Sequence, residues 1–127
     1  MSQINPVGWF EIYTEDIERA ATFYRTVLGS EFEDMPDPPN SGMQMKSFSS
    51  DMEAYGSGGA LVKMDGFKPG VGGTLVYFAV QDCAVEEARV ANAGGEVTQP
   101  KQSLGEFGFM SLCKDIEGNT FGLHSME

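Results

Sequence analysis

The sequence predicts an α+β fold of two βαβββ repeats, forming curved mixed sheets around a cup with the helices outside. Three observations carry this. First, the chain repeats itself: W-F-E-I-Y-T-E-D, a helical pattern and L-G-S-E-F lie over L-V-Y-F-A-V-Q-D, a second helical pattern and A-G-G-E-V. Second, short aromatic and β-branched runs alternate with clusters of Gly, Pro, Asn and Asp, which is the pattern of strands and turns. Third, each unit has one helix for four strands. One helix leaves a sheet face uncovered, and two copies can close on each other. The 127 residues fit a single domain, 1–127, with repeat one at about 5–64, a connector at 65–73 and repeat two at about 74–125.

Repeat one opens with a strand over 7–13, rich in Trp9, Phe10, Ile12 and Tyr13. Thr14 or Asp16 then caps a helix, and Ile17, Ala20, Ala21, Tyr24 and Leu28 give it one apolar face. Gly29 ends it, since glycine accepts a left-handed C-cap. Strands are expected at 31–33, 43–48 and 59–64. The Pro-rich segment from Asp34 to Asn40 cannot continue a ladder, and the stretch 35–42 is long enough for a rim. Residues 65–73, D-G-F-K-P-G-V-G-G, form a turn-rich connector.

Repeat two starts with T-L-V-Y-F-A-V at 74–80, a strong strand. Gln81 and Asp82 lead into a helix expected to run to about Asn92. Ala93-Gly94-Gly95 stops it, and a short strand at 96–98 is expected to end before Pro100. Strands at 108–114 and 120–125 pair as a hairpin across Glu117-Gly118-Asn119. The second of them ends near His124, the single histidine.

Composition narrows the function classes. Nineteen acidic against eight basic residues give a net charge of −11, a field that repels nucleic acid and anionic membranes. It favours neutral or cationic small molecules. The first residues lack a basic region followed by an apolar run, and no apolar stretch approaches a membrane span, so a cytoplasmic location is expected. Two cysteines, Cys83 and Cys113, are too few for a disulfide framework and have no metal-type spacing. G-S-G-G at 56–59 lacks the Lys and following helix of a phosphate loop.

In order along the chain, E-D-I-E-R-A-A-T-F-Y-R-T-V-L-G (15–29), V-Y-F-A-V-Q-D (76–82), A-G-G-E-V (93–97) and D-I-E-G-N-T-F-G-L-H (115–124) resemble the vicinal oxygen chelate superfamily. That superfamily includes glyoxalase I, extradiol dioxygenases and bleomycin and fosfomycin resistance proteins. G-G-A-L-V-K (58–63) is most similar to its glyoxalase-like or bleomycin-resistance-like branch. The resemblance implies the two-repeat fold, a homodimer and a cup for a small molecule.

It also implies a divalent metal held from the first and last strand of each repeat. Those positions fall here on Trp9 and Leu75, near Leu61, and on Gly122, and none is a ligand. A site of two histidines with carboxylates cannot be assembled within a chain holding one histidine. The expectation is no metal at this position and no cofactor.

Strand alternation then gives the wall of the cup: Trp9, Glu11, Tyr13, Leu61, Lys63, Leu75, Tyr77 and His124. Aromatic groups with a few polar ones suit a small-molecule ligand, and packed core is the plainer account of the same aromatics. Glu11 could be satisfied by Lys63 alone. Glu11 and His124 are the candidate acid–base pair. Met43, Met45, Met52 and Tyr55 line the mouth of the cup or fill core. The expected function is metal-independent binding of a neutral or cationic ligand, like bleomycin resistance. Alternatives are a glyoxalase-like lyase or isomerase, and an interaction module with a filled cup.

Overall fold

The computed structural model describes residues 5–36, 42–51 and 53–127. The segment 37–41, within the expected rim, and Met52 lie outside the described residues. The chain forms two compact units: Phe10–Thr74, and Leu75–Glu127 with the N-terminal residues through Trp9. Each contains one helix and the strands packed on it.

The first unit is built from β1 (Val7–Tyr13), α1 (Ile17–Leu28), β2 (Phe32–Asp34), β3 (Gln44–Phe48) and β4 (Gly58–Lys63). The strands lie in the order β2-β3-β4-β1, with β2/β3 and β3/β4 antiparallel. Asp16 caps α1 by accepting from the Arg19 N–H at 3.0 Å, and Gly29 ends it at φ 69°, both as expected. The apolar stripe of α1 buries Ile17 and Ala21 against Leu61, with Ile12, Tyr24, Phe32 and Phe48 packed around them. Lys46 ties the same layer together, its ammonium 2.9 Å from Glu18 and 2.6 Å from Asp34.

The second unit follows with β5 (Thr74–Ala79), α2 (Cys83–Glu87), β6 (Glu96–Ser103), β7 (Phe109–Lys114) and β8 (Thr120–Ser125), in the order β5-β8-β7-β6. β5 and β8 are parallel; β8/β7 and β7/β6 are antiparallel. Each unit therefore has the strand–helix–three-strand order, and the class is α+β with a mixed strand arrangement. The Pro6 carbonyl accepts from the Ala79 N–H at 2.9 Å, which fixes the start of β1 in this unit. Cys83, Cys113 and Leu123 form its core, with Phe78, Val80, Val97, Phe109 and Phe121 around them. The β7–β8 turn is held by Asp115. Its carboxylate accepts from the Glu117 and Asn119 N–H groups at 2.9 Å each and from the Asn119 side chain at 3.1 Å.

Two elements differ from the sequence expectation. The second helix stops at Glu87 rather than Asn92. Beyond it the chain winds in tight i→i+3 bonds, Arg89 to Glu86 and Val90 to Glu87, before Gly95 turns back under Val90. β6 runs through Pro100 to Ser103 rather than stopping at Thr98. It is the last strand in the order, and its pairing with β7 shifts register between Val97 and Gln99 and again before Gln102. Proline is tolerated at such an edge, where its missing N–H breaks no ladder bond.

Candidate functional site

The helix-side clusters decide which side chains face the other way. In β1, Ile12 packs on the α1 cluster. Alternation therefore turns Trp9, Glu11 and Tyr13 to the opposite face, as the sequence predicts. Tyr13 is buried at 6% exposure, while Trp9 and Glu11 are half-buried. The Tyr13 hydroxyl donates to Glu11 Oε1 at 2.8 Å. Residues two apart on a strand share a face, so this bond follows from the local geometry of β1.

Tyr13 is itself held at two points. Its N–H donates to the Gly73 carbonyl at 2.8 Å. Its ring stacks on Phe67, with centroids 4.8 Å apart and planes at 31°. Sequence reasoning took 65–73 as a connector and missed Phe67. The available signal was the one aromatic residue in a segment dominated by glycine and other turn formers.

Leu61 and Lys63 are corrected. Leu61 is fully buried beneath α1, in contact with Ile17 and Ala21, and so is not on the face of Glu11. Its partner across the β3–β4 ladder is Lys46, which also points to the helix side and meets Glu18. Lys63 alternates to the same side as Leu61 and is exposed. A Glu11–Lys63 ion pair would need both side chains on one face. The error is one residue in the repeat alignment. Leu61 corresponds to Leu123, the core leucine of the second unit, and not to Gly122. A one-residue slip moves every side chain to the other face. The residues of β4 that share the face of Glu11 are Ala60 and Val62, both buried.

In the second unit, Phe78, Phe121 and Leu123 face α2, so Leu75, Tyr77, Gly122 and His124 face away from it. Tyr77 pairs with Gly122, and Ala79 with His124. Leu75 and Tyr77 are 2% and 9% exposed, more enclosed than an open wall would be. A Cβ on Gly122 would overlap the Tyr77 ring, so the pairing depends on that glycine. His124 is half-buried, and its Nε2 donates to the Phe107 carbonyl at 2.6 Å. The ring is thereby fixed to the 3-10 turn Gly105–Phe107 that precedes β7.

With the register corrected, the positions that the superfamily gives to metal ligands hold Trp9, Ala60, Leu75 and Gly122. These side chains offer no donor atoms, and any side chain at 122 would displace Tyr77. The residues present do not fit the metal. Among the described residues, no three His, Cys, Asp or Glu side chains are grouped to hold one. Also among them, no helix is long and apolar enough to cross a membrane.

Other charged groups serve structure. Asp82 caps α2 through the Ala84 N–H at 3.0 Å and meets the Lys101 ammonium at 2.9 Å. That bond holds the Asp82 carboxyl below its usual value and raises Lys101. Lys101 also lies 4.6 Å from the Phe109 ring centroid. Both cysteines are fully buried and reduced, and burial pushes the Cys113 thiol up. A groove of about 530 Å³ follows the first turns of α1, lined by Tyr13, Arg19, Phe23, Tyr24, Pro69 and Gly73, so it adjoins the Tyr13 backbone.

Comparison with known proteins agrees with this architecture. Residues 7–45 match the family described as bleomycin resistance protein-like N-terminal. Proteins named "Putative glyoxylase CFP32" from Mycobacterium tuberculosis and Mycobacterium bovis are 28% identical over 121 residues, which is 91% of this chain. The chain spans 44% of the length of those relatives. Among solved structures, hypothetical protein BH1468 from Bacillus halodurans superposes with a TM-score of 0.71 at 12% identity, covering 95% of this chain and 94% of that one. Methylmalonyl-CoA epimerase from Mycobacterium tuberculosis gives 0.69 at 12% identity, covering 96% and 88%. The Streptomyces coelicolor epimerase in complex with 2-nitronate-propionyl-CoA gives 0.67 at 16%, covering 97% and 98%. Ordered motifs, two strand–helix–three-strand units and these matches agree: the chain has the fold of these structures and resembles the vicinal oxygen chelate superfamily.

Proposed function

We propose that this protein binds a neutral or cationic, partly apolar small molecule without a metal ion, with Glu11 as the recognising carboxylate. The observation that carries the reading is the Tyr13–Glu11 bond. A half-buried carboxylate on the strand face away from the helix is costly unless it is engaged. Here a phenol hydroxyl holds it at 2.8 Å in a defined orientation. A carboxylate so oriented recognises an ammonium or N–H donor, and a ring of the ligand would add aromatic contact. The net charge of −11 works in the same direction. The homodimer implied by the resemblance and the cytoplasmic location expected from the sequence belong to this proposal.

A catalytic reading is favoured by the names of the relatives: a glyoxalase-like lyase or isomerase with Glu11 and His124 in proton transfer. His124 has Nε2 committed to Phe107, so Nδ1 is the nitrogen that reading requires.

A thermal-shift series separates these ideas. Benzyltrimethylammonium, benzyl alcohol and benzoate present one ring with positive, neutral and negative character. The binding reading expects stabilisation in that order, unchanged by a chelator, and loss of the cationic preference in Glu11→Gln. Equal response to all three, or none to any, contradicts it.

A further inference from the structure

We propose that Phe67 is a positioning residue for Glu11, acting through Tyr13, so that the segment 65–73 sets the orientation of the recognising carboxylate. The inference rests on the reading of Glu11 above and adds what holds it in place.

A phenol gives its one hydroxyl proton in a direction set by where its ring lies. Tyr13 aims that proton at Glu11 Oε1 from 2.8 Å. The ring is fixed against Phe67 at a centroid separation of 4.8 Å, in the offset range that aromatic pairs prefer. Phe67 is placed by a tight turn. Its N–H donates to the Met64 carbonyl at 3.2 Å, Gly66 takes φ 89°, and Met64 and Phe67 form an antiparallel bridge. The far end of the same segment holds the Tyr13 backbone. Gly73 accepts the Tyr13 N–H at 2.8 Å, and its own N–H donates to Gly70 at 2.8 Å. A Cβ at Gly73 would lie 2.9 Å from Gly70 N, Lys68 O and Pro69 Cα, so that close turn needs a glycine. One end of the segment fixes the Tyr13 ring and the other fixes its backbone. A change at Phe67 therefore reaches Glu11 without any side-chain contact between them being required.

The test labels the tyrosine Cζ atoms with carbon-13 and reads Tyr13 by NMR. The chain has four tyrosines, and Tyr13→Phe assigns the signal by removing it. Phe67→Ala should move the Tyr13 signal toward that of Tyr55, which is fully exposed. Phe67→Tyr should restore it, and Phe67→Leu, which keeps bulk without a ring, should not. Benzyltrimethylammonium affinity should fall about threefold to tenfold in Phe67→Ala, the size of one aromatic pair, and return in Phe67→Tyr. A folded Phe67→Ala or Phe67→Leu protein whose Tyr13 signal stays in place overturns the inference, as does failure of Phe67→Tyr to restore it. If the unaltered protein binds no benzyltrimethylammonium, the proposed function falls. The Tyr13 signal then still decides the positioning of Tyr13 by Phe67.

Discussion

The ring of Tyr77 lies across Gly122, its partner in the parallel β5–β8 pair, in space that any side chain at 122 would occupy. The position most readily read as a lost metal ligand is thus filled by a neighbour's aromatic ring. Gly122→Ala should destabilise the fold by about 1–3 kcal/mol, the usual cost of overpacking a closed site. Urea denaturation measures it. Gly122→Glu should cost at least as much and should gain no stoichiometric zinc or manganese by elemental analysis.

Leu61 gives a prediction that separates structure from function. Truncation to alanine removes a fully buried side chain beneath α1 and should cost about 2–5 kcal/mol. Residual folded Leu61→Ala should keep the benzyltrimethylammonium affinity of the parent. A loss of affinity in folded Leu61→Ala would return Leu61 to the ligand face.

The cysteines should be inert while the protein is folded. Both are fully buried, and burial raises the Cys113 thiol, so the reactive thiolate is scarce at neutral pH. Labelling by a thiol reagent should be slow in buffer and should rise with unfolding in urea. Fast labelling of either cysteine in native protein would contradict the burial.

The dependence of stability on pH follows from two carboxylates and two lysines. Asn119 holds Asp115 below its ordinary value of about 3.9, and Lys101 does the same to Asp82. A lowered folded pKa gives stability that is present above the ordinary value and is lost as pH falls through the folded one. Acid unfolding below about pH 4 should therefore be less steep in Asp115→Asn and Asp82→Asn. Asp34 and Asp82 raise Lys46 and Lys101 respectively. Their contribution is present below about pH 10.4 and is lost as pH rises through the raised values. These groups are only partly buried and reach solvent, so high salt should shrink both arms. Melting temperatures between pH 2 and 11, at low and high salt, check the pattern.

Much of the fold is written locally. Asp16 and Gly29 bracket α1, Asp115 and Gly118 make the last turn, and the apolar stripe of Ile17, Ala21 and Tyr24 names the packing face. What stays hidden depends on long-range register. In G-G-A-L-V-K two buried positions flank Leu61, so both faces of β4 read as apolar and alternation cannot choose between them. Only the contact with α1 does. Pro100 reads as a strand end until β6 is known to be the last in its order. The short α2 is cut by tight turns that its composition tolerates equally well as helix. For the site, spacing alone put Glu11 and Tyr13 on one face, while the hydrogen bond between them appears only in the structure. The part of Phe67 was not, because it comes from where a loop docks.

The central claim is that Glu11 recognises a ligand without a metal. Isothermal titration of benzyltrimethylammonium into the parent protein and Glu11→Gln, each with excess EDTA, tests it most directly. The account predicts that the parent binds in EDTA and that Glu11→Gln loses about tenfold or more, the scale of one close ion pair in a partly desolvated site. Equal affinity in the two proteins, or binding that disappears from the parent on chelation, would contradict it.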